Sequence, residues 1–182
     1  MPLLVAEPDR YPETLLSDPP ATLDWYLAYT ASRREKDLMR RLRAEGIAHY
    51  APLVETRRRS PAGRVRTSWL PFFSSYVFVA ATPDQQPAVY ATDCVVSLSP
   101  IADADALLAD LRQIDGVLSS GLPVQTVQRL EIGQTVRVKT GPLRGATGRL
   151  MSIRGDERFV IAVDFLQQGA AVAIDPCDLE PV

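Results

Sequence analysis

The sequence predicts an α+β fold in two parts, a sheet-and-helix domain followed by a small all-β domain. In the first part, segments with strand and helix periodicity alternate in the order strand, helix, strand, strand, helix, strand, helix. In the second part, six of the chain's ten glycines separate short segments rich in β-branched residues. The 182 residues suffice for two small domains and are too few for a large multidomain enzyme.

The first domain is expected to span residues 24–118 and to begin with a strand at 25–29. A helix follows, because Ser32 and Glu35 have the spacing of a capping box and Gly46 is placed to end the helix. The remaining predicted elements are two strands, a short helix, a strand and a long helix, at 47–54, 68–80, 84–92, 95–98 and 103–118. The order βαββαβ is that of the split βαβ, or ferredoxin-like, sheet with its helices on one face.

The rest of the chain divides into an arm, a linker and a second domain. Five prolines and no sustained periodicity in residues 1–23 predict an extended or disordered arm. Residues 119–130 mix Ser, Gly, Pro and Gln and are predicted to be a linker. Residues 131–182 are expected to form a permanent five-stranded SH3-like barrel, because their glycines and prolines disfavour helix. Its recognisable strands lie at 135–139, 146–153, 158–165 and 171–174.

Basic charge is concentrated in one block. Residues 25–80 carry eleven basic and four acidic residues, although the formal net charge of the chain is -2. Six of the basic residues lie on or beside the first predicted helix. The other five lie in the polar connector 55–67, predicted to be the tip of a hairpin. A localised basic surface is typical of proteins that bind nucleic acid or an acidic partner, although solvated helix faces give similar counts.

The sequence contains no recognisable catalytic or metal-binding motif. No Ser/His/Asp, Walker or GxGxxG arrangement occurs, His49 is the single histidine, and Cys94 and Cys177 form no CxxC pair. We therefore expect a protein that is not an enzyme, needs no cofactor and holds no metal. No apolar run is long enough to span a bilayer and the first residues lack a signal-peptide pattern, so a cytoplasmic location is expected.

Three stretches of the sequence together resemble the NusG family of transcription elongation factors. They are the strand at 25–29 with its basic helix, LPFFSSYVFV at 70–79 and GQTVRVKTGPLRGATGRLMSI at 133–153. The resemblance covers residues 25–182 and implies that the second domain is a KOW-motif barrel. It also implies a non-enzymatic factor that binds the clamp helices of the largest RNA polymerase subunit and promotes processive elongation.

The resemblance further implies which residues contact partners. Four aromatic residues are candidate contacts with the polymerase: Tyr29, Phe73, Tyr76 and Phe78. Three arginines are candidate contacts with upstream or non-template DNA: Arg33, Arg34 and Arg40. In the barrel, Phe165 is the candidate contact with a small-subunit ribosomal protein or with Rho. No membrane partner is expected.

Two segments depart from the housekeeping pattern of the family. Residues 73–76 read Phe-Ser-Ser-Tyr where the pattern is close to Phe-Pro-Gly-Tyr, so the local turn is expected to differ. DFLQQGAAVAID at 164–175 is more similar to the specialised RfaH and UpxY paralogues, which favours a factor for specific operons. The alternative is a KOW-type RNA-binding or ribosome-associated protein. The aromatic strand with its basic helix, and a net charge of -1 over residues 131–182, favour the first interpretation.

Overall fold

The contacts in the computed structural model divide the chain into two units, Met1–Ala104 and Asp105–Val182. The structure describes residues 7–59, 63, 65–127, 133–153 and 156–182. The helix predicted at 103–118 falls almost entirely in the second unit, so this division lies earlier in the chain than the boundary read from the sequence. In the described ranges, no helix has both the length and the apolar character needed to cross a membrane.

The described part of the first unit contains seven strands and two α-helices. The strands are Arg10–Tyr11 (β1), Asp24–Thr30 (β2), Ala48–Tyr50 (β3), Leu53–Arg59 (β4), Val65–Pro71 (β5), Tyr76–Ala81 (β6) and Val95–Pro100 (β7). The helices are Glu35–Ala44 (α1) and Gln86–Tyr90 (α2). Five strands form a sheet in the order β1-β3-β6-β2-β7, and β4 pairs with β5 in a separate hairpin.

The five-stranded sheet has the connectivity of two interleaved βαβ units. Both β2 and β3 run antiparallel to β6, which lies between them, so they are parallel to each other and are joined through α1. In the same way, β6 and β7 both run antiparallel to β2 and are joined through α2. This mixed architecture of antiparallel strands and few helices agrees with the predicted fold class.

The core of the first unit lies between α1 and one face of the sheet. Because side chains alternate along a strand, every second residue of β2 and β6 faces this core. Its largest buried members on these three elements are Tyr26, Leu38, Met39, Leu42, Val77 and Val79. Fully burying an aliphatic side chain contributes about 1.5–3 kcal/mol, so this cluster holds α1 firmly on the sheet.

Several elements differ in extent from the prediction. The strand expected at 47–54 divides into β3 and β4, and the one at 68–80 divides into β5 and β6, because the chain leaves the main sheet to form the hairpin. The predicted capping box is wrong. The residue before α1 is Arg34, which makes no side-chain cap hydrogen bond, and Glu35 is the first helical residue.

The N-terminal segment is built into the first unit, so the prediction of an extended or disordered arm is wrong for its described residues. β1 pairs with β3, and the Asp9 carbonyl accepts a hydrogen bond from the Ala51 N–H at 2.8 Å. Further along, Leu15 and Leu16 are buried. The prolines do not prevent this arrangement, since a two-residue edge strand followed by a turn needs few backbone donors.

The second unit combines a helix with a six-stranded antiparallel sheet. The helix is Ala104–Ser119 (α3), and all but its first residue belongs to this unit. The strands are Val124–Val127 (β8), Gln134–Val138 (β9), Thr147–Ile153 (β10), Asp156–Val163 (β11), Gln168–Val172 (β12) and Leu179–Pro181 (β13). Their order is β13-β9-β10-β11-β12-β8, so β8 of the predicted linker pairs with β12. Closure of these strands into a barrel stays a prediction.

Two side chains of α3 bind backbone N–H groups in the strand region of the second unit. Gln113 Oε1 accepts a hydrogen bond from the Thr147 N–H at 3.0 Å, and Asp110 Oδ2 accepts one from the Asp164 N–H at 3.4 Å. Partial burial raises the pKa of Asp110 to about 6, because the charged carboxylate loses more hydration than its hydrogen bond restores. The helix is therefore attached through one neutral and one titratable group.

His49 is a core residue of the first unit. It is fully buried in β3, where its Nδ1–H donates to the Ile47 carbonyl at 2.9 Å and its ring stacks on Tyr11 at 6.3 Å. Within the described residues its Nε2 has no hydrogen-bond partner. Burial lowers the pKa of His49 to about 4, so the imidazole is neutral in the folded protein near pH 7.

The first unit is expected to lose stability as the pH falls from about 6.5 towards 4. In this window the unfolded chain takes up a proton on His49 whereas the folded chain resists it, so acid favours unfolding. Between pH 7 and pH 5, His49→Phe should lose about 2 kcal/mol less stability than the wild type. Urea denaturation at both pH values measures the difference. Equal losses in the two proteins would show that His49 does not titrate in this way.

Asp110→Asn is expected to stabilise the second unit at pH 7 and to have no such effect at pH 4. A carboxyl with a raised pKa costs folding free energy as the pH rises from about 4 to 6, because the unfolded chain ionises first. The amide keeps an acceptor for the Asp164 N–H. Since Asp110 is partly exposed, the gain is discounted to about 1 kcal/mol. Thermal denaturation measures it, with the exposed Asp105→Asn as control, and an equal gain at pH 4 would contradict the electrostatic explanation.

Candidate functional site

A turn at Ser75 joins the elements that carry the predicted contact residues of the first unit. The Ser75 N–H donates to Glu35 Oε1 at 2.6 Å, and the Ser75 carbonyl accepts from the Thr30 N–H at 2.8 Å. These bonds connect the turn before β6 with the start of α1 and the end of β2. Glu35 is buried, so its carboxylate is an internal acceptor for this turn instead of a helix cap.

Ser75 adopts a backbone conformation that favours glycine. Its φ is +66°, in the left-handed region, and it occupies the position where the family pattern has glycine. A side chain at such a position costs about 1 kcal/mol, since Cβ crowds the following carbonyl oxygen. Ser75 therefore adopts the positive φ that glycine adopts freely, at the cost of some backbone strain.

Tyr29 and Tyr76 form an aromatic pair on neighbouring strands of the sheet. They are directly opposite each other on β2 and β6, with ring centroids 5.5 Å apart and ring planes inclined by 51°. Tyr29 is 43% exposed and Tyr76 is half-buried. An exposed tyrosine on a strand offers a large apolar area, and its side chain loses little entropy on binding. Both properties favour contact with another protein.

Phe73 and Phe78 lie in the core, and the structure corrects the prediction that they contact a partner. Phe73 is 1% exposed and Phe78 is 0% exposed, so neither offers a surface for binding. Their rings meet edge to face at 6.3 Å, and Tyr50 stacks on Phe78 at 6.5 Å. Phe78 and Tyr76 are two residues apart on β6 and share one face of the sheet. The phenylalanines thus support β6, the strand that carries the half-buried Tyr76.

Arg33 and Arg34 lie between β2 and α1 and differ in their surroundings. Arg33 is exposed with a φ of +62°, and no hydrogen bond or ion pair of its side chain occurs with the described part of the chain. Arg34 Nη2 lies 2.8 Å from Asp37 Oδ2 and 3.4 Å from Cys94 Sγ. Arg33 is therefore available to a partner, whereas Arg34 is already paired.

Arg40 is paired with the N-terminal segment. Its Nε and Nη2 donate to Glu7 Oε2 and Oε1 at 2.9 and 2.5 Å. The same Glu7 carboxylate lies 3.9 Å from Lys36 Nζ, and Arg43 Nη2 donates to the Pro8 carbonyl at 2.8 Å. Arg40 thus shares a basic face of α1 with Lys36 and Arg43. The three arginines predicted to contact DNA, Arg33, Arg34 and Arg40, therefore have three different environments.

A groove of about 560 Å³ opens beside the start of α1. Its lining includes the cations Arg33 and Lys36 together with Trp69, Leu70 and Ser74. Trp69 and Leu70 were not predicted to be contact residues. Adjacent residues of a strand point to opposite faces, and a two-stranded hairpin cannot bury both of its faces. Two large apolar residues side by side in such a strand therefore predict that one of them is exposed. In the structure Leu70 is the exposed one.

In the second unit, Phe165 lies in a 3-10 turn at Asp164–Leu166 and not in the strand predicted at 158–165. Its side chain lies outside the described part of the structure, so a contact between Phe165 and a partner stays a prediction. Across the described ranges, no group of three or more His, Cys, Asp or Glu side chains is placed to hold a metal ion.

Comparison with known proteins gives a family match to the first part of the chain. The family model described as NusG, transcription termination factor nusG, matches residues 23–134. This is more than half of the 182 residues and includes β2, α1, the Ser75 turn and β6. A comparison with curated proteins found no match. Since the family match ends at the first residue of β9, the KOW assignment of the remaining strands stays a prediction.

Ser75→Gly is expected to raise the free energy of unfolding by up to about 1 kcal/mol. Glycine adopts positive φ without strain, and part of this gain is offset by its greater freedom in the unfolded chain. The control is Ser74→Gly, the same exchange at an exposed neighbour with no positive φ, which should lower stability by about 0.5–1 kcal/mol. Urea denaturation measures both. A Ser75→Gly protein less stable than the wild type would show that the turn carries no backbone strain.

Proposed function

Because the chain belongs to the NusG family, we propose that it is a non-enzymatic transcription elongation and antitermination factor that binds the clamp helices of the largest RNA polymerase subunit. The family match over residues 23–134 supports a transcription factor of this kind. The observation that carries the finer proposal is the pair of exposed Tyr29 and half-buried Tyr76, held by the Ser75 turn inside the matched region.

The tyrosine pair has the properties needed to bind the side of a helical hairpin. Aromatic side chains dominate the energetics of protein interfaces, and the exposed parts of the two adjacent rings form one apolar area that a helix can cover. Both residues are on paired strands of the sheet, so the backbone beneath them is ordered before binding. Binding then loses little conformational entropy in ordering the contact surface, so more of the free energy of burial contributes to affinity.

The groove at the start of α1 is a second part of the proposed polymerase surface, since its lining residue Ser74 is two residues from Tyr76. Leu70 is exposed at its edge and Trp69 lines it, which adds apolar area to that of the tyrosines. Arg33 and Lys36 supply cations on the same groove. An apolar centre with a charged rim is the usual composition of a protein interface that forms and dissociates.

Upstream or non-template DNA is the second proposed partner, with Arg33 as its first contact. Its guanidinium is exposed and matches the geometry of a phosphate group. Arg34 and Arg40 already bind the carboxylates of Asp37 and Glu7, so each must exchange a carboxylate for a phosphate in order to contact DNA.

The second unit is proposed to be a KOW barrel that binds a small-subunit ribosomal protein or Rho through the region of Phe165. Support comes from its antiparallel strands and from the VRVKTGPLRGATG segment at 136–148. The departures from the housekeeping pattern at 73–76 and 164–175 support a factor that acts at specific operons. Mapping the genes that the protein occupies in cells tests the last point, because a general factor would follow polymerase on all transcribed genes.

Tyr29→Ala and Tyr76→Ala are each expected to weaken binding to core RNA polymerase by about 1–2 kcal/mol, because an aromatic anchor is lost from the interface. Tyr90→Ala is the matched control, since Tyr90 is 46% exposed on α2 and Tyr29 is 43% exposed on β2. Surface plasmon resonance with immobilised core polymerase measures the affinities, and circular dichroism verifies folding.

Three outcomes separate the possibilities. Loss of affinity in the Tyr29 and Tyr76 variants alone supports the proposed surface. Equal loss in all three variants, or in none, contradicts it. A wild-type chain that sediments with ribosomes or binds RNA, and does not bind polymerase, would favour the alternative of a KOW-type RNA-binding or ribosome-associated protein.

A further inference from the structure

The basic face of α1 is covered by acceptor groups from the chain's own N-terminal segment. Lys36, Arg40 and Arg43 are four and three residues apart, a spacing that places them on one side of the helix. The Glu7 carboxylate binds Arg40 through two hydrogen bonds and lies near Lys36, while the Pro8 carbonyl accepts from Arg43. Three cations therefore converge on two consecutive residues of the segment.

The segment is held against this face by contacts elsewhere in the first unit. Directly after Pro8, Asp9 accepts a backbone hydrogen bond from Ala51, and β1 pairs with β3. Beyond β1, Leu15 and Leu16 are buried. Since the tether is only two residues long, Glu7 has a high effective concentration at the cations, and a ligand from solution must compete with it.

The contact between Glu7 and Arg40 has the form in which arginine binds phosphate. Two parallel hydrogen bonds to two oxygens of one anion satisfy the fork of the guanidinium, and a phosphate group offers the same pair of oxygens. The hydrogen bond from Arg40 also holds the pKa of Glu7 below its usual range, so the carboxylate is charged whenever the site is occupied.

We propose that Lys36, Arg40 and Arg43 form a binding site for the phosphate groups of single-stranded nucleic acid, and that Glu7 and Pro8 occupy this site in the free protein. The inference rests on the proposed function as a factor that meets DNA at the polymerase, and assigns to α1 a contact separate from Arg33. Binding of the nucleic acid displaces the N-terminal segment from the cations. Because these contacts must first be broken, the nucleic acid binds more weakly than it would if the segment did not occupy the site.

The test uses the full chain and a fluorescein-labelled single-stranded oligonucleotide of fifteen thymidines, with affinity measured by fluorescence anisotropy at low and moderate salt. Glu7→Gln should tighten binding about two- to fivefold, because it removes the carboxylate that competes for Arg40. The matched control is Glu13→Gln, an exposed residue of the same segment, which makes the same change in net charge. It should change affinity by less than half the Glu7→Gln effect.

Arg40→Ala tests whether the gain arises at the proposed cations. In a Glu7→Gln/Arg40→Ala protein the gain from the first substitution should disappear, because residues that interact directly have non-additive effects. The slope of affinity against salt should also fall when Arg40 is removed, since one fewer counterion is released. Gain that persists without Arg40, equal gain from Glu13→Gln, or no binding of the oligonucleotide by any variant would each overturn the proposal.

The same proteins separate this inference from the proposed polymerase function. Binding of Glu7→Gln to core polymerase without nucleic acid is expected to stay within twofold of the wild type, because Glu7 lines neither the tyrosine pair nor the groove and its contact with Lys36, which does line the groove, is long at 3.9 Å. If polymerase binding is absent and the Glu7-dependent gain is present, the nucleic-acid site stands and the polymerase surface falls. If polymerase binding is present and the gain is absent, this inference alone fails.

Discussion

The two hydrogen bonds made by the Ser75 backbone hold together the parts of the first unit that carry its candidate contacts. Glu35 is forty residues from Ser75 in sequence, and its buried carboxylate needs the Ser75 N–H, because an unpaired buried charge is costly. The Thr30 N–H binds the Ser75 carbonyl. Tyr29 precedes Thr30 and Tyr76 follows Ser75, so the turn sets where both rings lie. A strained serine in this turn indicates that the geometry is imposed by its surroundings.

Tyr76 and Phe78 share one face of the sheet, so it is the covering rings that place one at the surface and the other in the core. Phe78 is two residues from Tyr76 and is covered by Phe73 and Tyr50, whereas Tyr76 is paired with Tyr29 and stays half-buried. The turn returns Phe73 to the core just before the chain enters β6. The Tyr29–Tyr76 pair therefore lies beside buried rings, which keep it ordered without a partner.

Periodicity and element order predict much of this fold, because they depend on local burial. They identify α1, α3, β2 and β7, and their order specifies the interleaved βαβ connectivity of the sheet. They fail where a residue's partner is distant in sequence. Glu35 has the spacing of a capping residue, but its carboxylate instead accepts a hydrogen bond from the Ser75 N–H. In the proline-rich N-terminal segment, β1 pairs with β3. Phe78 is covered by Tyr50 from another strand and by Phe73 from beyond the turn, which no single-strand pattern reveals.

Charge counted along the chain overstates the basic surface for the same reason. The block at 25–80 has a large excess of basic residues, yet Arg34 and Arg41 bind Asp37, and Arg40 binds Glu7 from outside the block. A paired guanidinium attracts phosphate less than a free one and must first lose its carboxylate. The surface that nucleic acid encounters is thus set by which carboxylates fold against α1. Since Glu7 is placed there by the pairing of β1 with β3, the N-terminal segment belongs to the electrostatics of the helix as much as the helix's own residues do.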